Sequence, residues 1–347
     1  MRSTLLKLHL ILAMAAGVFI TVLGLTGAIM AFEPEIDHWQ HRALMDVTPA
    51  GTPHTLLDVS DALQKVYPAE RINTFTLGAT PSRSYAVAME RGTVYVNPYT
   101  LEVIGVRAPG ADWLANLHQL HLRLLTTWAR PIVRWSGVVL IFLLLSGLYL
   151  WWPSQRVSVT TGQSAFRTWF DLHNAVGIFS FVFLLLLAMT GVAIGFGNIA
   201  MPLAYRLTGS VASPGISARV PAIPGAHPIS VDRALEIARN ALPGATPFSI
   251  NNVKPTDAYV VRARFAEDLT PGGRSRIVVH SYTGEVIGIE NSRTAPGGRR
   301  FEILNRAIHT GDVFGLPSKI VMSLASLMAP IQLVTGVMLW ARRKRKR

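Results

Sequence analysis

The sequence of 347 residues is half hydrophobic, which is too apolar for an ordinary soluble protein and indicates membrane-spanning segments. It contains no cysteine, which excludes disulfides, zinc–thiolate sites, iron–sulfur clusters and cysteine nucleophiles. The net charge of +13 does not indicate nucleic-acid binding, because six of the charges form the terminal run 342–347 directly after an apolar segment. Basic residues in that position are typical of the cytoplasmic flank of a membrane helix.

Four long apolar runs predict four transmembrane helices separated by two long loops. In chain order we predict a first helix at 1–32, a first outer domain at 33–131, a second helix at 132–152, a link and the start of the third helix at 153–172, the third helix at 173–197, a second outer domain at 198–317, a fourth helix at 318–340 and a basic tail at 341–347. We interpret the first run as an uncleaved anchor, because it is too long for a signal peptide and acidic residues follow it.

The sequence pattern of each long loop predicts a small α+β domain. Residues Leu56–Val66 and Val231–Ala241 have the apolar spacing of an amphipathic helix. Residues 84–96, 258–265 and 276–280 alternate between apolar and polar side chains, which predicts strands. The predicted fold class is therefore membrane α-helical, with four transmembrane helices and two α+β domains in which a helix packs on a short antiparallel sheet.

The short loops predict the orientation of the chain in the membrane. Arg2 and Lys7 precede the first helix, Arg156 and Arg167 flank the link between the second and third helices, and the basic tail follows the fourth. The positive-inside rule places all of these in the cytoplasm, together with both termini. The two long loops are then outside, and a bacterial inner membrane with periplasmic domains is the expected setting.

The sequence also indicates an internal duplication. Thr26 follows His9 by 17 positions, Thr190 follows His173 by 17 positions, and a glycine follows each threonine. Further matches in the same order begin at Tyr99 and Tyr282, where a Tyr-Thr-x-Glu-Val-Ile-Gly segment occurs twice, and at Ser146 and Thr335, where Ser-Gly matches Thr-Gly. The chain is therefore predicted to contain two copies of a helix–domain–helix unit.

Four histidines lie at the ends of the predicted helices, in positions that the duplication relates. His9 and His173 lie near the cytoplasmic face, and His121 and His309 lie near the periplasmic face. An ionisable residue beside a membrane span suggests function, and neutral imidazole is an axial ligand of haem iron. We predict that each pair binds one haem iron, giving two bis-histidine haems. Zinc ligation and an interfacial polar role remain the alternatives.

Three further residues are candidates for the periplasmic-side site. His118 precedes His121 by three positions, so that either could be the ligand, although the repeat favours His121. Arg130 and Arg134 could pair with haem propionates or extend to the membrane surface. The Thr-Gly and Ser-Gly pairs fit close helix packing as well as they fit space for a flat macrocycle. Six arginines of the second loop could form an electropositive surface for an anionic substrate or a solvated face: Arg262, Arg264, Arg274, Arg276, Arg299 and Arg300.

Several of these segments resemble one known family. They are Leu8-His9 with Leu25-Thr26-Gly27, the segment 171–177, the His121-x-Arg-Leu-Leu segment, and the segment 308–315. Together they resemble the PepSY-associated transmembrane family, and the two Tyr-Thr-x-Glu-Val-Ile-Gly segments resemble the ends of PepSY domains. The family includes iron-regulated membrane proteins and di-haem reductases of ferric siderophores. The resemblance covers nearly the whole chain, although the early part of the first PepSY-like domain does not align well.

The resemblance implies two b-type haems held by His9 with His173 and by His121 with His309. It further implies a ferric-siderophore reductase-like oxidoreductase that takes electrons from a quinol or a cytoplasmic reductase and passes them to an external ferric siderophore. The alternative hypothesis is a non-enzymatic, membrane-anchored PepSY module that binds or inhibits a periplasmic protease or assembly partner. A transporter of the iron chelate is a third hypothesis, disfavoured by the small number of spans.

Overall fold

The computed structural model describes residues 1–110, 112–155, 157–159, 164–251, 254 and 256–344. Arg156 and the last three basic residues, on which part of the predicted orientation depends, lie outside the described residues. The chain forms two compact units. The helical unit contains Met1–Glu33, Trp113–Thr208 and Phe301–Arg347, and the sheet unit contains Pro34–Asp112 and Gly209–Arg300.

The described residues form eleven α-helices and eight β-strands. The helices are α1 (Arg2–Met30), α2 (Glu33–Gln40), α3 (Arg42–Met45), α4 (Leu56–Val66), α5 (Trp113–Arg123), α6 (Arg130–Trp151), α7 (Ala165–Gly195), α8 (Gly197–Leu207), α9 (Val231–Ala241), α10 (Gly297–Thr310) and α11 (Leu316–Lys344). The strands are β1 (Ile72–Thr76), β2 (Tyr85–Met89), β3 (Gly92–Val96), β4 (Val103–Arg107), β5 (Thr246–Asn251), β6 (Tyr259–Arg264), β7 (Ser275–Val279) and β8 (Val286–Glu290).

Four helices of the described chain, α1, α6, α7 and α11, are long and apolar enough to cross a membrane. This confirms the four predicted spans. Helix α7 begins at Ala165, inside the range 153–172 that was predicted to contain its start, and the Ser164 side chain caps its first turn by accepting the Arg167 amide. The buried Asp171, which pairs with Arg167, therefore lies inside the helix.

The four long helices pack as a ring in the order α1, α6, α7, α11. Glycines allow their backbones to approach closely: a Cβ added at Gly24 of α1 would lie 2.7 Å from the Ser326 carbonyl oxygen of α11. The start of α1 meets the end of α6, where Arg2 donates to the Leu150 carbonyl. We call this end of the bundle, where α1 and α7 begin and α6 and α11 finish, the terminal end, and the opposite end the loop end.

The sheet unit is one antiparallel sheet to which both long loops contribute. Its strand order is β4-β3-β2-β1-β5-β6-β7-β8, so that each half comes from one loop. The halves join where β1 pairs with β5, with Phe75 opposite Ile250. Helices α4 and α9 pack with the strands in a shared apolar core. The predicted α+β content is confirmed, and the joining of the two halves into one sheet is an additional finding.

An acidic side chain also links the two halves of the sheet unit. Asp232, in the first turn of α9, accepts the backbone amides of Leu56 at 2.8 Å and of Leu57 at 2.9 Å. These amides belong to the first turn of α4 and have no partner within their own helix. Thr55 and Asp58 complete the same helix start as a capping box.

Candidate functional site

At the terminal end of the bundle, two histidines are each hydrogen-bonded to a hydroxyl group on a neighbouring helix. Nδ1 of His9 on α1 lies 2.8 Å from Oγ of Ser146 on α6. Nδ1 of His173 on α7 lies 2.8 Å from Oγ1 of Thr335 on α11. The two contacts are the same contact repeated in the two copies of the duplicated unit.

At the loop end, the second pair of histidines makes the same kind of contact. Here the histidines lie on the shorter helices α5 and α10, and the hydroxyls lie on the membrane-spanning helices α1 and α7. Nδ1 of His121 on α5 lies 2.8 Å from Oγ1 of Thr26 on α1. Nδ1 of His309 on α10 lies 3.0 Å from Oγ1 of Thr190 on α7. Each of the four histidines predicted from the sequence therefore has one serine or threonine hydroxyl at its Nδ1 atom.

The hydroxyls determine which ring nitrogen carries the proton. Oγ1 of Thr26 lies 2.7 Å from the Val22 carbonyl oxygen, and Oγ1 of Thr190 lies 2.6 Å from the Leu186 carbonyl oxygen. A carbonyl cannot donate, so the single hydroxyl hydrogen points at the helix backbone and the hydroxyl oxygen accepts Nδ1–H from histidine. The corresponding distances are 2.9 Å from Thr335 to the Ile331 carbonyl and 3.2 Å from Ser146 to the Leu143 carbonyl.

This arrangement makes Nε2 the nitrogen without a hydrogen in each neutral ring. A charged imidazolium is costly among membrane-spanning helices, so the neutral ring with its lone pair on Nε2 is the favoured form. That lone pair is the group with which histidine binds a metal, and a hydrogen bond from the other nitrogen fixes the tautomer and the ring orientation.

His121 and His309 face each other across the loop end. Their ring centroids are 6.2 Å apart and their planes are inclined by 57°. Metal–imidazole bonds of about 2 Å place the centroids of two rings on opposite sides of one metal ion roughly 6 Å apart. The separation therefore fits two axial ligands of a single iron.

His9 and His173 line one cavity inside the bundle. The cavity has a volume of about 130 Å³. On α1 the lining extends from His9 to Ile20, and most of the other lining side chains are apolar, among them Leu140, Phe181 and Leu184. Two imidazoles in an apolar cavity provide the chemistry with which proteins bind a largely apolar, metal-containing macrocycle.

A glycine follows each of the four hydroxyl residues and faces the same imidazole. A methyl group added at the glycine would lie 3.3 Å from Cε1 of His121 at Gly27, 3.5 Å from Cε1 of His9 at Gly147, 3.1 Å from Cε1 of His309 at Gly191 and 3.6 Å from Cε1 of His173 at Gly336. The Ser-Gly and Thr-Gly pairs thus form seats for the histidine rings, with a hydroxyl at Nδ1 and an open backbone beneath Cε1.

A family model described as the PepSY-associated TM region matches residues 6–343. The chain belongs to this family. Comparison with curated proteins gives no match. The matched range of this PepSY-associated membrane protein includes the four spans, all four histidines and the sheet unit.

The structure gives the neighbours of the other predicted site residues of this PepSY-associated protein. Nδ1 of His118 lies 3.4 Å from a Glu33 carboxylate oxygen. Arg130 is exposed at the start of α6. The Arg134 guanidinium lies 6.0 Å from the centre of the Phe196 ring. Haem contacts of these three residues remain predictions.

Two features of the site were not predicted. The first is the pairing of each histidine with a hydroxyl, although the equal His-to-Thr spacing in the two copies was a usable signal. The second is Asn305, whose side-chain amide donates to the Thr190 carbonyl at 3.3 Å and so fixes α10 against α7 beside His309. In the described part of the chain, no group of three or more His, Asp or Glu side chains is placed to hold a metal ion.

Proposed function

We propose that this chain is an electron-transfer protein of the bacterial inner membrane that holds two b-type haems and reduces ferric siderophores on the periplasmic side. His9 and His173 would bind one haem at the terminal end, and His121 and His309 would bind the other at the loop end. The observation that carries the proposal is the arrangement of four imidazoles as two pairs at opposite ends of one bundle, each ring with a hydroxyl at Nδ1.

The protein residues would supply ligation, spacing and a dry environment. Bound haem supplies a one-electron iron couple, whose potential depends on its axial ligands and surroundings. Along α1, Thr26 of the loop-end seat lies 17 positions after His9, which at 1.5 Å per residue is about 25 Å. This distance covers most of the hydrocarbon thickness, so the pairs suit electron transfer from one membrane face to the other.

The terminal end would receive electrons from a membrane quinol or a cytoplasmic reductase. The loop end would pass them to a ferric siderophore, with one electron converting one Fe(III) to Fe(II). The oxygen ligands of such chelates bind the softer, less charged ion more weakly, so iron would be released. The orientation that this requires is the one predicted from the basic flanks of the helices.

Two arginines of the sheet unit support the proposal that the substrate is an anion. Arg262 on β6 lies directly opposite Arg276 on β7. The pair in the same register of the first copy is Ala88 and Thr93. Like charges opposite each other destabilise a sheet, and a Glu290 carboxylate 3.1 Å from Arg276 offsets only one of them. The exposed Arg262 is available to an anion.

Reconstituted vesicles test the proposal. Dithionite is trapped inside, and a ferric hydroxamate siderophore with the Fe(II) indicator ferrozine is added outside. The proposal predicts that the haem-loaded protein produces external Fe(II), and that the double variants His9→Ala/His173→Ala and His121→Ala/His309→Ala each fall to the rate of empty vesicles. The variant His227→Ala, which changes an exposed loop histidine, should match the unaltered protein.

Equal rates in all variants and in empty vesicles would contradict electron transfer. That result would favour the tethered PepSY module, whose binding of a protease or assembly partner does not require the membrane histidines.

A further inference from the structure

We propose that Thr26, Ser146, Thr190 and Thr335 are positioning residues that set the ligand strength of the four histidines, and hence the reduction potentials of the two haems. The inference deepens the proposed function and rests on it. It assigns to the Ser-Gly and Thr-Gly pairs a role beyond helix packing.

The four hydroxyls that contact histidines differ from other hydroxyls of the bundle in their hydrogen-bond partners. Two other buried hydroxyls of the same bundle, those of Ser136 and Ser180, bond within the described part of the chain to the carbonyl four residues earlier or its neighbour. The four seat hydroxyls make such a backbone contact and also accept Nδ1–H of a histidine on a different helix. The backbone contact aims the hydroxyl lone pair at the ring, because it fixes the position of the only hydrogen.

The electronic consequence follows from the direction of the hydrogen bond. An imidazole that donates Nδ1–H gains electron density at Nε2 and becomes a stronger base. A stronger base stabilises ferric iron more than ferrous iron, so the hydrogen bond lowers the reduction potential of the iron it ligates. The low dielectric of the bundle strengthens this effect.

Replacing the loop-end hydroxyls tests this inference. The double variant Thr26→Val/Thr190→Val keeps the side-chain shape and removes both acceptors, whereas Thr26→Ser/Thr190→Ser keeps them. Ser136→Ala is the control for losing a buried span hydroxyl that touches no histidine. The measurement is an optical redox titration of the purified, haem-loaded protein.

We expect the valine variant to raise the loop-end potential by about 59 mV, which corresponds to a tenfold weaker preference for ferric iron in a one-electron couple. The terminal-end potential should stay unchanged, as should both potentials in the serine and Ser136→Ala variants. If the double valine variant does not retain haem, the single variant Thr190→Val tests the inference instead. The same rise in the loop-end potential is then expected in the single variant.

The possible failures are distinguishable. An unaltered protein without a haem spectrum would refute the proposed function itself. An unaltered protein with two haems, combined with a valine variant whose potentials do not move, would refute only the role of the hydroxyls and leave them as structural contacts.

Discussion

At the residue scale, the four ring seats make the same contacts with their histidines but differ in the distance between the glycine and the imidazole ring. A methyl group at Gly191 would lie 3.1 Å from Cε1 of His309, which is closer than ordinary van der Waals contact, whereas at Gly336 it would lie 3.6 Å from Cε1 of His173. Both glycines lie in the second copy of the unit and directly follow the threonine of a ring seat, so that they form a matched pair for substitution.

We predict that Gly191→Ala displaces the His309 ring and reduces haem occupancy at the loop end. Gly336→Ala should leave both haems in place and leave thermal stability unchanged or slightly higher, because alanine favours the helix over glycine by about 1 kcal/mol. Haem content per chain and thermal unfolding in detergent measure both effects. Equal haem content in the two variants would show that the glycines do not control the ring seats.

At the scale of elements, the connection between α10 and α11 fixes the helix that carries His309. Gly311 has a positive φ of +77°, and the Ser318 hydroxyl donates to the Gly311 carbonyl at 2.6 Å. Asp312 lies 3.6 Å from the Lys319 ammonium, and the two side chains are only 11% and 7% exposed. A buried ion pair at this point holds the end of α10 against the start of α11.

Removing one charge of this pair should therefore be costly. Asp312→Asn leaves the Lys319 ammonium buried without its carboxylate, and we predict a loss of about 3–5 kcal/mol in the free energy of unfolding. The double variant Asp312→Asn/Lys319→Met should recover most of it, because no uncompensated charge remains. Thermal unfolding in detergent measures both, and a double variant as unstable as the single one would argue against a role for the ion pair.

The elements also show what a sequence can and cannot predict. Helices α4 and α9 have the bounds that apolar spacing predicted, because their pattern is local. The pairing of β1 with β5 was not predicted, since it joins segments of different loops without any local signal. The hydroxyl partner of His9 was not predicted either, because the packing of the whole bundle decides which face of α6 meets α1.

At the scale of the whole molecule, duplication explains why the histidines occur as two pairs. Each copy contributes one histidine to each end: His9 and His121 come from the first copy, and His173 and His309 come from the second. The repeat made the four residues recognisable in the sequence, and the structure brings His121 and His309 together and places His9 and His173 in one cavity. The bound cofactor and the substrate are not contained in that geometry and remain proposals.

Haem stoichiometry of the purified protein tests the two-haem claim most directly. The account predicts two b-type haems per chain in protein from haem-replete cells, one in His9→Ala/His173→Ala, one in His121→Ala/His309→Ala, and two in the control His227→Ala. A protein that shows no Soret absorbance under these conditions, or that keeps both haems in either double variant, would contradict it.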